Sequence, residues 1–338
     1  MRRRHFEALK PACPACRRGF LTLEPGAEGA DDAIRSGVLG CEACGGRAPI
    51  IAGVPVLVPD LTGWLSAHLP LVLESDIDAA AAEAVVAAAV GPDSAFAIAR
   101  QQQSSYAHDH YGDLFAQDAA SAPGGVRRCQ DAALRRLGPR AGPVLDIGCA
   151  VGRTSFDLAA AGDGPVLGID LNWPLLRIGR GVLDRGLVRY PLRRLGNRYD
   201  RREARFAPPG AGRVDFWVVD ALALPFADHT FGLVTALNVL DCVPDPARLV
   251  AEIGRVAAPG AGIALAAPLD WASHATPASA WLDSPDAFEA MVARASREAP
   301  GAKPLMPAAP ALDLPWAVRL HDNATVTYRT RLLTLTAT

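Results

Sequence analysis

A chain of 338 residues exceeds one ordinary core and points to two units, one of them small. Half of the residues are hydrophobic, enough for a packed interior. A formal net charge of -2 and a pI near 6.4 exclude a global electrostatic pull toward nucleic acid or anionic membrane, leaving only a local basic face to provide one.

The opening MRRRH has the charge of an export signal, but FEALKPACPAC follows where an apolar stretch is required, so a cytoplasmic location is expected. Residues 1–60 carry Cys13-Pro-Ala-Cys16 and Cys41-Glu-Ala-Cys44, two CxxC knuckles separated by 24 residues. Two thiolates in each tight turn can face a common point, and together they complete a tetrahedral S4 site that suits Zn²⁺. Four thiolates leave no open position, which makes the expected role structural. So short a unit, with strand-like runs such as Val54 to Val58, needs a staple of this kind. Of the seven cysteines, Cys129, Cys149 and Cys242 remain and read as small packing residues.

Residues 61–125 read as a helical linker and cap. Ala79 to Val90 is expected to form an alanine-rich helix ended by Gly91-Pro92, being too short to span a bilayer and interrupted by Glu83. The polar stretch QQQSSYAHDHYGDLF follows. From 126 to 338, apolar strand runs alternate with helical patterns: PVLDIG with SFDLAAA, PVLGID with PLLRIGRGVL, then DFWVVD, FGLVTALNVL, PARLVAEIGRVA and GIALAAP. This alternation predicts an α/β domain, a Rossmann-like, mostly parallel sheet with helices on both faces. The closing VTYRTRLLTLT is expected to add an antiparallel edge strand.

Val144 to Gly152 is a strand running into a glycine loop and a helix. Gly148 is expected to turn the backbone sharply, and Gly152 to let backbone approach a ligand at the helix start. The nicotinamide fingerprint GxGxxG is absent. Asp146 precedes Gly148 by two residues, Asp170 ends the next strand and Asp220 ends FWVVD. An acid at the tip of the second strand can accept from both ribose hydroxyls.

These residues resemble motif I and the strands after it in class I S-adenosylmethionine-dependent methyltransferases, over about Pro143 to Pro268. The resemblance implies S-adenosylmethionine as cofactor, held by Asp146, Gly148, Cys149, Ala150, Gly152, Asp170, Leu171, Asp220, Ala221 and Asn238. By the same resemblance Asp220 meets the adenine amine and Ala221 offers a backbone donor. Ala150 stands where a glycine is common, a replacement expected to be tolerated if its backbone angles are ordinary. Asn238 and Asp241, beyond the fourth strand, are expected near the transferred methyl as catalytic residues. Asp241-Cys242 replaces a frequent Glu-His pair, so no histidine base is available there. The alternative for Asp241 is an N-cap of the helix after Pro244.

CEACGGRAPIIAGVPVLVPD (Cys41 to Asp60) resembles the small zinc-ribbon proteins that bind and activate tRNA and protein methyltransferases, with Ala48 replacing a frequent aromatic. The segments around Trp271, Trp281 and Trp316, with Tyr111 of the early helix, resemble the methyltransferase domain of the ovothiol-biosynthesis enzyme. That resemblance makes Tyr111, Trp271 and Trp281 candidates for an aromatic substrate box, with core packing as the alternative. It favours N-methylation of a small heterocyclic or amino-acid-like substrate of imidazole or histidine type.

Between Arg177 and Arg205 stand ten arginines and three acids. This insertion reads either as a phosphate-binding face, which would suit an rRNA or tRNA methyltransferase gripping RNA with ribbon and arginines, or as a solvated helix pair. A non-catalytic, partner-activating scaffold is the third reading.

Overall fold

A computed structural model describes residues 1–30, 32–74, 93–116, 122–298 and 302–338. The expected helix over Ala79 to Val90 lies outside the described residues. The N-terminal unit comprises helix α1 (Arg3–Leu9) and strands β1 (Leu21–Leu23), β2 (Glu28–Ala30), β3 (Ala33–Cys41), β4 (Arg47–Ile51) and β5 (Val54–Leu57). Helices α2 (Leu61–Glu74) and α3 (Ala95–Tyr111) follow, and α4 (Gly125–Leu137) opens the alternating part. That part runs β6 (Val144–Ile147), α5 (Arg153–Ala161), β7 (Val166–Asp170), α6 (Trp173–Arg185), β8 (Leu187–Arg193), β9 (Tyr199–Arg205) and β10 (Val214–Val219). It continues with β11 (Phe231–Leu237), α7 (Pro246–Val256), β12 (Ala257–Ala267), α8 (Pro285–Glu298), β13 (Leu305–Pro307), β14 (Leu312–His321) and β15 (Ala324–Ala337).

The spatial order β5-β10-β7-β6-β11-β12-β15 is parallel from β5 to β12, with β15 antiparallel. This is the expected Rossmann-like α/β sheet, and alternation along each strand sorts its side chains onto two faces. Leu145, Ile147, Leu167, Ile169, Trp217 and Val219 pack with α7 and α8, whereas Val144, Val166, Phe216 and Val218 pack with α4, α5 and α6. Both faces are covered, so β6 and β10 are buried at every position and are apolar save for Asp146 and Asp215.

Two expectations change. β15 is an interior strand, because β12 pairs with one of its edges and β13 and β14 with the other. The arginine-rich insertion contains the antiparallel hairpin β8–β9, not a helix pair. Within the segment read as linker and cap, α3 packs against both β8 and β14.

The ribbon is sewn into the same sheet. Val56 and Leu57 of β5 pair in parallel with Val218 and Val219 of β10, and Leu9, Leu21, Leu39 and Ile50 share a core with Trp217 and Phe226. Asp215 anchors the seam at 0% exposure, accepting from the Arg2 backbone (2.6 Å), the Trp217 indole (2.9 Å) and Arg180 (3.3 Å). His5 Nε2 donates to the Arg213 carbonyl at 2.6 Å, and Arg17 pairs with Glu252 at 3.4 Å. No helix among the described residues is long and apolar enough to cross a membrane.

Candidate active site

In an open α/β sheet the crevice opens beyond the strand C-termini, where the order reverses. Here the reversal lies between β6, which leads to β7 on one side, and β11 on the other. A cavity of about 580 Å³ sits at that point. Its floor is built from the loops after β6, β7, β10 and β11, and its roof from α3, β14, Tyr328 of β15 and Arg193 at the end of β8.

The first loop is held by Asp146. Its carboxylate is 2% exposed and accepts from Thr154 Oγ1, Ser155 Oγ and Thr235 Oγ1, each at 2.7 Å. Three hydroxyls tie the end of β6 to the start of α5 and to β11, so Asp146 fixes the shape of the loop. Burial pushes its pKa up, against those hydroxyls. Gly148 turns the chain at φ +66°, and a Cβ there would meet Val239 Cγ2 at 2.3 Å.

Ala150 departs from ordinary backbone angles, with φ +48° in the left-handed region, where an L side chain is strained. Its N–H donates to Asp170 Oδ2 at 3.0 Å, and that bond holds the turn. Gly152 is at φ +85°, but the neighbour it admits is Phe216, whose Cζ would lie 2.4 Å from a Cβ. Gly152 therefore serves packing between helix and sheet. Cys149 is 1% exposed and, like Gly152, does not line the cavity.

Asp170, at the tip of β7, accepts from Ala150 N with one oxygen and Asn172 N (2.8 Å) with the other. Burial pushes its pKa up to about 6, against the pull of these backbone bonds. Leu171 beside it lines the cavity and is 42% exposed. Asp220 follows β10 and accepts from Leu222 N with Oδ1 at 2.9 Å, and Ala221 lies next to it on the wall. Asn238 follows β11 at φ +57°; its Oδ1 is buried with no hydrogen-bond partner among the described residues. An unpaired buried carbonyl costs free energy, which a ligand donor would recover.

Asp241 lies in a one-turn helix, Leu240–Cys242, at 2% exposure, and its Oδ2 accepts from Asp270 N at 2.9 Å. Burial, with the Asp270 charge adding, pushes its pKa up to about 6. It does not cap α7, because Asp245 accepts from Arg248 N there at 2.9 Å.

The roof supplies groups that sequence reading passed over. Gln101, Gln102, Ser105, Tyr106, Asp109 and His110 recur at helical spacing along one face of α3, and all line the cavity. That polar stripe was the available signal. Asp109 accepts from Gly124 N (3.0 Å), Gly125 N (2.6 Å) and Val126 N (3.1 Å) at the start of α4, and from Trp316 Nε1 (3.0 Å) of β14. One carboxylate thus locks three roof elements together. His110 is 4% exposed, and burial with nearby Arg153 and Arg127 lowers its pKa to about 3, so the ring is neutral.

The three candidates for the aromatic box stand elsewhere. Tyr111 is fully buried and donates to the Val151 carbonyl at 2.9 Å. Trp271 donates to Leu282 O at 3.0 Å and Trp281 to Thr276 O at 2.9 Å, and neither lines the cavity. Tyr106, Trp316 and Tyr328 line it instead, with the His110 imidazole.

A second cluster lies in the ribbon. The sulfurs of Cys13, Cys16, Cys41 and Cys44 all fall within 4.8 Å of one another, with Cys13–Cys44 at 3.7 Å and Cys16–Cys41 at 3.8 Å. Four thiolates around Zn²⁺ at roughly 2.3 Å would form a tetrahedron with edges of about 3.8 Å. The donor set and its spacing fit that ion.

In the insertion, Arg189 pairs with Glu203 (2.7 Å), and Arg194 with Asp200 (2.6 Å) and Asp322 (3.2 Å). With Arg180, paired to Asp184 and Asp215, these arginines meet acids within the protein.

Residues 145–265 match the model of a family described as a methyltransferase domain. The O-methyltransferase cnsE of Penicillium expansum is 29% identical over 132 residues, 39% of this chain and 40% of that protein. The norajmaline N-methyltransferase of Rauvolfia serpentina is 32% identical over 123 residues, 36% of this chain and 34% of that protein. A ubiquinone/menaquinone biosynthesis C-methyltransferase of Acidiphilium cryptum is 35% identical over 118 residues, 35% of this chain and 38% of that protein. The chain thus spans less than half the length of each of these relatives, whose names attach the methyl group to oxygen, nitrogen and carbon in turn.

Proposed function

We propose that this chain is an S-adenosylmethionine-dependent methyltransferase that N-methylates a small heterocyclic or amino-acid-like acceptor, with a structural zinc ion in its ribbon. One observation carries the reading: Gly148, Asp170, Asp220 and Asn238, distant in sequence, face one cavity inside the segment that matches a methyltransferase domain.

When bound, the donor supplies an electrophilic methyl group on a sulfonium. Asp170 would hold it through the ribose, because each carboxylate oxygen keeps a lone pair beyond its backbone bond. Asp220 would accept from the adenine amine with the oxygen that Leu222 leaves free, beside Ala221 and Leu171. The unpartnered Asn238 Oδ1 would accept from the ammonium of the methionine part, next to the bend at Gly148. Ala150, Cys149 and Gly152 would act through the shape of the loop, and Asp146 by pinning it. Cys13, Cys16, Cys41 and Cys44 would bind the zinc, closed to substrate.

Asp241 would receive the acceptor's N–H. A carboxylate with pKa about 6 is a modest base near neutrality, sufficient to orient a neutral nitrogen for in-line transfer. Neutral His110 adds a hydrogen-bonding group on the opposite wall.

Calorimetry with S-adenosylmethionine, followed by a mass-spectrometric methyl-transfer screen against imidazole amino acids and bulk RNA, tests the proposal. Donor binding with methylation of a small compound is expected. Methylation of RNA alone would replace the small acceptor with RNA, and no donor binding would leave a non-catalytic scaffold.

A further inference from the structure

The cavity is lined by six aspartates, Asp109, Asp146, Asp170, Asp220, Asp241 and Asp270, and among the described residues by a single arginine and no lysine. That arginine is Arg193. Its neighbours Arg189 and Arg194 pair with acids, but Arg193 makes no ion pair among the described residues. Its guanidinium donates to two neutral oxygens, Gly196 O from Nε (2.9 Å) and Gln101 Oε1 from Nη1 (3.0 Å).

The residue is also held from both sides of the roof. Its backbone N–H donates to Ser104 Oγ of α3 at 2.8 Å, and its carbonyl accepts from Arg319 Nη2 of β14 at 2.9 Å. A guanidinium positioned this firmly, and neutralised by no carboxylate among the described residues, is preorganised for an anion that arrives with a ligand.

We infer that Arg193 binds a carboxylate of the methyl acceptor, so that the acceptor carries both a nucleophilic nitrogen, placed at Asp241, and a carboxylate, placed at Arg193. This rests on the methyltransferase reading of the cavity. One guanidinium, with no second arginine or lysine among the described residues lining the cavity, matches a monoanion better than a phosphate dianion. The donor's own carboxylate is a poor alternative partner. The loop end of the cavity lies beside His110, whose carbonyl accepts from Arg153. Gln101, which holds Arg193, is nine residues earlier on α3, or about 13 Å along a helix rising 1.5 Å per residue.

The test uses the zinc-loaded full chain and two matched pairs of probes, L-histidine with histamine and L-tyrosine with tyramine. Binding of S-adenosylmethionine is measured by calorimetry and kcat/KM for each probe by methyl transfer, in the wild type, Arg193→Gln and Arg193→Lys. At least one carboxylated probe is expected to exceed its decarboxylated mate by about tenfold or more, the worth of a charged hydrogen bond. Arg193→Gln should erase that ratio mainly through KM, Arg193→Lys should keep part of it, and donor affinity should stay within about twofold in both.

A wild type that binds the donor yet prefers the decarboxylated probes, or methylates none of the four, would overturn the inference. So would a ratio unchanged by Arg193→Gln, or a variant whose chief loss is donor affinity. Failure of the wild type to bind the donor at all is a different result, because it removes the methyltransferase reading underneath.

Discussion

The cysteine corner and the cavity beneath α3 are both clusters of ligand-type side chains, yet they differ in what is left unsatisfied. In the corner, four sulfurs within 4.8 Å of one another turn toward a common centre, and the tetrahedron they define is complete. In the cavity, Asp170 and Asp220 retain acceptor capacity, and among the described residues Asn238 Oδ1 has no partner and Arg193 no anion. With the zinc proposed above, the first arrangement would stabilise a fold. The second sets bonding groups around a space, at a cost in stability that a ligand repays.

The sharpest way to break this contrast is to remove the metal. Structural zinc sites contribute on the order of 10 kcal/mol to the folding of small ribbons. Cys41→Ser or strong chelation should therefore release one equivalent of zinc and unfold the ribbon. Because β5 is paired with β10, the loss should also lower the melting temperature of the whole chain in calorimetry. An unchanged zinc content in Cys41→Ser would refute the ligand set.

Asp215→Ala probes the seam between the two regions. It strips acceptors from Arg2 N and Trp217 Nε1 and leaves buried Arg180 with Asp184 (2.8 Å) as its remaining carboxylate partner. Breaking a buried pair from one side costs about 3–5 kcal/mol, and the surviving Asp184 contact puts this variant at the lower end, readable in urea unfolding. Asp170→Ala should act in the opposite place, weakening donor affinity by about 1.5–3 kcal/mol with little effect on the melting temperature. Equal donor affinity in the variant would mean that the ribose lies elsewhere.

Acidity separates the same regions. Burial raises Asp170 from 3.8 to about 6, so its ionised form is fully present above that value and is lost as pH falls through it. Donor affinity should decline between pH 7 and 5 in the wild type, and the decline should be weaker in Asp170→Asn. The stability contribution has the reverse sign: Asp170 and Asp241, both raised by burial, oppose folding above pH 6 and cease to do so on protonation. The smallest expected effect is that of Ala150→Gly. Relief of the left-handed strain at φ +48° should slightly exceed the entropy cost of glycine, for a net gain of about 0.5 kcal/mol in thermal unfolding.

What sequence alone revealed follows from how locally each feature is encoded. The cysteine knuckles, the apolar runs of β6, β7, β10 and β11, and the acids at their tips are short-range patterns imposed by one turn or one strand. The roof is a meeting of α3, β8, β14 and β15, up to 227 residues apart from Gln101 to Tyr328, and no local period announces that meeting. Tyr111 illustrates the difficulty. It stands beside His110, yet one step around the helix turns it from the cavity into the core, where Val151 O takes its hydroxyl. The strain at Ala150 was hidden for a related reason, since it arises from the bond to Asp170 rather than from the residue's own preference.

A crystal structure of the zinc-loaded chain with S-adenosylhomocysteine tests the central claim most directly. The account predicts the ribose hydroxyls on Asp170, the adenine amine on Asp220 and a donor to Asn238 Oδ1, with Asp241 and Arg193 still facing open cavity. A ligand bound outside these strand tips, or a cavity that stays empty at saturating ligand, would contradict it.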